Sequence, residues 1–96
     1  MSAFSTLVNG PKPVIIDFYA VWCGPCRMMP PVLAELKKMR GDAVTIIKID
    51  IDKNKAVAAQ YQIMSVPTIM IMQAGKILWK ASGVHTAKQI DAHIPT

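Results

Sequence analysis

The period of the apolar positions changes along the chain, and those changes mark out its elements. Val14 to Ala20 is β-rich and apolar on both faces, interrupted only by Asp17. A run with no polar face suits a strand covered on both sides, as in a parallel sheet. From Gly24 to about Arg40 the period becomes helical. Leu33, Leu36 and Met39 fall on one stripe, while Glu35, Lys37 and Lys38 face water. Consecutive prolines, Pro30 and Pro31, are expected to kink this helix sharply, and Gly41-Asp42 ends it. Val44 to Asp50 reads as a second strand, Asn54 to Tyr61 as a helix, and Thr68 to Met72 as a third strand. Ala74-Gly75 signals a tight turn, so Lys76 to Ala81 becomes a hairpin partner. Thr86 caps a last helix to Ile94, and Ser2 to Val8 opens the chain as a short helix stopped by Asn9-Gly10-Pro11. The order α-β-α-β-α-β-β-α predicts an α/β fold. A right-handed crossover sets one strand pair parallel, the hairpin is antiparallel, and helices cover both faces of a mixed sheet. Met28, Met29, Met64, Met70 and Met72 read as core filler, with Met64 also bordering any groove beside Ser65-Val66-Pro67.

Composition adds limits. A chain of 96 residues, 52% hydrophobic and 18% charged, is expected to form one ordered domain over residues 1–96. Its two cysteines stand three positions apart. A bridge across so short a loop constrains the unfolded chain little, so the pair is free for another role. Met1 to Lys12 lacks a basic segment followed by an apolar one, and the apolar run Val14 to Cys23 is too short to span a bilayer. The expectation is a soluble cytoplasmic protein with no membrane partner. The net charge of +5 comes from scattered lysines without interleaved aromatics. That argues against nucleic acid and for a solvated cationic surface able to steer acidic partners.

The chemistry concentrates in Cys23-Gly24-Pro25-Cys26, where a buried strand hands over to a helix. Unpaired N–H groups at a helix start stabilise an anion, so the Cys23 thiolate should form readily. Cys26 lies one turn on along the same face. Helical neighbours at that spacing have Cβ atoms about 5–6 Å apart, and a disulfide needs roughly 3.5–4.5 Å. A small adjustment closes the bridge. Gly24 permits close approach of a partner, and Pro25 pre-sets the first turn. A zinc site would need about four ligands, and only His85 and His93 are left to join the cysteines; no metal is expected. Asp17 either faces solvent on an edge strand or is buried in a central one. The strand looks central, and burial would raise the Asp17 pKa and fit it for proton transfer near neutrality.

The segment Asp17-Phe18-Tyr19-Ala20-Val21-Trp22-Cys23-Gly24-Pro25-Cys26 resembles the active-site segment of the thioredoxin family. Pro31, Lys48-Ile49-Asp50-Ile51-Asp52, Val66-Pro67-Thr68 and Gly83 match later positions in the right order, from about Val14 to Ile94. The resemblance implies a thioredoxin fold and a protein-disulfide reductase. In it Cys23 is the nucleophile and Cys26 the resolving thiol. Asp17 accepts the Cys26 proton, through water, with Lys48 as its charged partner. Trp22 shields the site and touches targets, beside Gly24, Pro25 and Gly83. A cis Val66–Pro67 bond brings backbone to bound substrate. The implied cofactor is none beyond the Cys23–Cys26 disulfide. The implied partners are disulfide-containing proteins and a flavin- and NADPH-dependent thioredoxin reductase, since the chain has no Gly-rich dinucleotide motif of its own.

Three departures stand out. Sixteen residues precede Asp17, room for a helix but not for the family's additional first strand, so a four-stranded sheet is expected. Its Val44–Asp50 edge would be exposed, with Lys48 guarding it; a monomer is expected, and pairing through that edge is the alternative. Tyr19 and Pro30 also differ from the usual pattern. Gly-Pro between the cysteines resembles reductases. The competing readings are a disulfide oxidase or isomerase and a thioredoxin-fold binding subunit.

Overall fold

A computed structural model describes residues 3–95. The elements are α1 (Ala3–Val8), β1 (Val14–Tyr19), α2 (Met29–Arg40), β2 (Thr45–Asp50), α3 (Lys55–Gln60), β3 (Thr68–Gln73), β4 (Lys76–Ser82) and α4 (Ala87–Asp91). The expected helix start at Ser2 lies outside the described residues. The sheet runs β2-β1-β3-β4. β1 lies parallel to β2, with Val14 opposite Thr45 and Asp17 opposite Lys48. It lies antiparallel to β3, with Phe18 opposite Thr68. β3 and β4 form the antiparallel hairpin. The expected four-stranded mixed sheet is the observed one, and β1 sits inside it.

Alternation along the strands separates two layers. Ile15, Ile69 and Ile71 pack with Leu33 and Leu36 of α2 and Ile90 of α4. Ile16, Phe18, Met70 and Met72 face the other way, toward Val8 and Phe4 of α1 and Val57 of α3. Two expectations about α2 need correction. Met39 is not on the buried stripe; it is 47% exposed, whereas Leu33 and Leu36 pack in the core. Pro30 and Pro31 do not kink a helix interior. They occupy the first turn of α2, where a missing N–H leaves no bond unmade. The residues before them, Pro25–Met28, form a separate 3-10 helix.

The β3–β4 turn holds Ala74 and Gly75 both at positive φ, the requirement of a two-residue hairpin turn. Its amides donate to Gly10 O and Val8 O at 2.8 Å each, tying the end of α1 to the sheet. Glycine suits the positive φ of Gly75, and a Cβ there would also oblige the Asn9 side chain to shift, its Oδ1 lying 2.7 Å away.

At the far end, Arg40 joins α2 to the last turn of α4. Its guanidinium forms an ion pair with the Asp91 carboxylate and donates to the carbonyls of Asp91, Ile94 and Pro95 at 3.2–3.3 Å. Asp91 O also accepts from Ile94 N–H at 3.1 Å, and the Ile94 and Pro95 carbonyls lie past the helix end, so one guanidinium gathers the chain where α4 stops. Arg40→Ala is expected to cost about 2 kcal/mol, seen as a lower urea midpoint. Amide exchange should quicken across α4 and stay slow in β1; equal acceleration in both would contradict a local clamp.

Candidate active site

β1 delivers the chain to the site. After Tyr19 it turns so that Cys23 N–H donates to Ala20 O at 3.2 Å, and the 3-10 helix Pro25–Met28 starts at once, Arg27 N–H donating to Gly24 O at 3.1 Å. A continuous α-helix from Gly24 was the expectation. The tighter 3-10 geometry is what occurs, and it brings residues three apart closer to eclipse. Cys23 and Cys26 are joined as a disulfide with Cα atoms 5.4 Å apart. Both are buried, at 5% and 6% exposure, so accessibility does not distinguish them. A hydrogen bond does: Cys26 N–H points at Cys23 Sγ at 3.2 Å. An N–H aimed at a sulfur favours the thiolate form of that sulfur.

Gly24 has ordinary helical φ and ψ, and a Cβ there would meet nothing within 4 Å. Nothing inside the chain requires glycine; any requirement comes from what approaches from outside. Ala20 and Val66 pack on the two cysteines. A hollow of about 230 Å³ opens beside them, lined by Tyr19, Arg27, Pro30 and Lys48 among others.

The Val66–Pro67 bond is cis. Side chains brace its loop: Thr68 Oγ1 donates to Ser65 O at 2.7 Å, and Ser65 Oγ donates to Ser82 Oγ at 3.0 Å. Gly83, at φ +93°, donates its N–H to Pro67 O at 2.8 Å. The fold thus joins two sequence-predicted site residues sixteen positions apart. Met28 and Met64 are not core filler. They are 60% and 92% exposed, whereas Met29, Met70 and Met72 are buried. Helical and strand periods alone do not reveal that Met28 sits on the outer side of the 3-10 helix or that Met64 precedes a protruding loop.

Trp22 is 68% exposed, and its indole N–H donates to Asp52 Oδ2 at 2.8 Å. The sequence alone assigns Asp52 no role. Its place follows from Asp50, whose carboxylate accepts the Asp52 N–H at 2.9 Å and shapes the turn after β2. An aspartate closing a strand and another two residues on are the available signal.

Asp17 is 1% exposed, on the β1 face that α2 covers, and neither carboxylate oxygen has a hydrogen-bond partner among the described residues. Burial raises its pKa from 3.8 to about 6, and the positive charge of Lys48 moderates the rise. Lys48 stands opposite Asp17 in the register, with its ammonium 4.9 Å from the Tyr19 ring centroid. The strand is central, so the buried reading of Asp17 is the observed one. Among the described residues no cluster of His, Cys, Asp or Glu could hold a metal.

A family model described as thioredoxin matches residues 1–96. A thioredoxin of Alicyclobacillus acidocaldarius is 40% identical over 91 residues, covering 95% of this chain and 87% of that one. The chain belongs to the thioredoxin family. Its solved likenesses include oxidised mitochondrial thioredoxin 3 of Saccharomyces cerevisiae, with a TM-score of 0.84, 31% identity, and coverage of 95% of this chain and 84% of that one. A bifunctional thioredoxin reductase/thioredoxin of Mycobacterium leprae is 40% identical over 75 residues, 78% of this chain and 16% of that protein. As a family member the chain is a thiol–disulfide oxidoreductase that reduces disulfides by exchange, and Cys23–Cys26 is its redox-active disulfide.

The buried carboxyl sets a pH dependence. Between pH 3.8 and about 6 the folded chain keeps a proton that the unfolded chain has released. Stability therefore falls as pH rises through that window, and the ionised form above it costs on the order of 2–3 kcal/mol. Asp17→Asn is expected to remove the slope and raise the thermal midpoint by several degrees at about pH 7.5. Identical stability curves for the two oxidised proteins across the window would rule out this origin.

Proposed function

We propose that this thioredoxin-family chain reduces disulfides of target proteins in the cytoplasm, with Cys23 attacking and Cys26 resolving. The observation that carries the assignment is the Cys26 N–H directed at Cys23 Sγ, which favours Cys23 as the standing thiolate. Cys23 thiolate attacks one sulfur of the target bond. A mixed disulfide forms, and the other target sulfur leaves as thiolate. Cys26 thiolate then attacks Cys23 Sγ, the Cys23–Cys26 bond forms, and the second target sulfur leaves. The target gains two electrons and, at neutral pH, two protons; the protein gives up the two electrons and the Cys26 proton, and solvent supplies the other proton.

Asp17 is the proposed acceptor of the Cys26 proton, through water. Its support is burial and affinity: it is buried on β1, the strand that leads into Cys23, and half-protonation at about 6 suits proton exchange near neutrality. Lys48 keeps that carboxyl from rising further. Trp22 forms a fixed apolar surface beside the disulfide. Gly24 and Pro25 leave the approach open, and the Val66–Pro67 backbone with Gly83 receives the substrate chain. A separate NADPH-dependent thioredoxin reductase restores the dithiol, a pairing supported by the relative that carries reductase and thioredoxin in one chain. The working form is a monomer. No described helix is long and apolar enough to cross a membrane.

An insulin-reduction assay coupled to thioredoxin reductase tests this reading. Cys23→Ser is expected to abolish turnover. Cys26→Ser should accumulate mixed disulfides visible on non-reducing gels; if only Cys23→Ser accumulates them, the roles are reversed. Asp17→Asn should slow resolution at least tenfold more than attack in single-turnover traces, and equal slowing would argue against a base selective for Cys26.

A further inference from the structure

Away from the redox centre, β2 is an edge of the sheet among the described residues. On its inner side Thr45 N–H and Ile51 N–H donate to Pro13 O and Tyr19 O, at 3.0 and 2.9 Å. The two-residue period of a strand aims the backbone of Ile47 and Ile49 the same way. The N–H and C=O groups of Ile46 and Lys48 therefore face off the sheet, ready to pair with another strand. Beside this edge, α2 leaves a groove of about 450 Å³. Leu33, Ala34 and Ile46 supply apolar lining, and Lys12, Lys37 and Lys48 supply cations. Lys37 Nζ donates to Val44 O at 3.1 Å, but none of the three lysines is in an ion pair; the ion pair among the described residues is Arg40–Asp91.

Charge selects the occupant. A second copy paired through the same edge would bring two sets of lysines together, which costs free energy at close range. An extended segment bearing carboxylates gains free energy there, and the net charge of +5 draws it in from a distance. Side chains two apart in a strand share a face, spaced about 6.6 Å. One apolar side chain over Ile46, with an acidic one two positions to either side, matches an apolar groove with Lys48 on the strand and Lys12 near its start.

We propose that the β2 edge and its groove form a docking strand for an extended partner segment of the pattern acidic–x–apolar–x–acidic. The groove shares Pro30 and Lys48 with the hollow beside the disulfide, so a docked segment lies alongside the redox site. Binding here does not depend on the assigned roles of Cys23 and Cys26, and it is measured without turnover.

The probe is a fluorescein-labelled peptide, Thr-Glu-Thr-Val-Thr-Glu-Thr, titrated into the oxidised full chain with polarisation and amide exchange as readouts. The expected result is saturable binding with slowed exchange at the Ile46 and Lys48 amides. Affinity should drop at least tenfold when lysine replaces glutamate in the peptide, and likewise for Lys12→Glu/Lys37→Glu protein. N-methylating alternate peptide nitrogens should block binding in one register and spare it in the other, the signature of strand pairing. That peptide series stands even if the lysine variant misfolds. No binding, equal loss in both registers, protection centred on Trp22 and Val66, or protection at Ile46 and Lys48 that grows with protein concentration without peptide would each overturn the proposal.

Discussion

From Val14 to Phe18, β1 has backbone neighbours on both edges and side chains packed on both faces. Ile15, Ile16 and Phe18 are wholly removed from water. At about 25 cal/mol per Å², burying such side chains is worth roughly 1.5–3 kcal/mol each, and the strand cannot move without surrendering them. That immobility is what the site uses. The chain leaves β1 at one fixed point, turns at Ala20, and starts the 3-10 helix that places Cys26 against Cys23. A disulfide needs its two Cβ atoms held roughly 3.5–4.5 Å apart, and β1 behind and α2 ahead restrain the segment between them.

The same burial creates the molecule's main local conflict. Asp17 occupies a position that an aliphatic residue would fill at no electrostatic cost. Burial pushes its pKa up to about 6, and Lys48 across the register relieves only part of the penalty. A strongly shifted titratable group kept at a central position marks a candidate functional residue rather than plain core. The outer surface is treated differently. Trp22 stays mostly exposed, and its indole N–H is anchored on Asp52, which restrains the ring. Rigidity of that kind lowers the entropy lost on binding.

The two flanks of the sheet carry different burdens. On the β4 side, the hairpin turn is tied to the end of α1 through the Ala74 and Gly75 amides, and Arg40 fastens α4 to α2. On the β2 side, the strand ends the sheet with two outward-facing backbone positions and a groove flanked by lysines. Positive charge at an open edge discourages like from pairing with like. It leaves the edge selective for acidic partners.

Much of this was legible in one dimension. The unbroken apolar run around Asp17, the helical stripe of Leu33 and Leu36, Thr86 as a cap and Ala74-Gly75 as a turn are local signals, because propensity and period act over a few residues. The two cysteines with Gly24 and Pro25 between them named the chemistry for the same reason. Other features needed the assembled chain. Met28, Met39 and Met64 have the same side chain as the buried Met29, and only packing separates them. Pro30 and Pro31 changed from a kink to a helix start once the 3-10 turn preceded them. The contacts between Trp22 and Asp52, Pro67 and Gly83, and Arg40 and Asp91 join positions 16 to 51 residues apart. The sequence by itself therefore determined the order of elements and the reacting atoms. Which residues meet across that distance, and how deeply Asp17 is buried, the tertiary structure decided, because burial and long-range hydrogen bonds depend on what the rest of the chain places alongside.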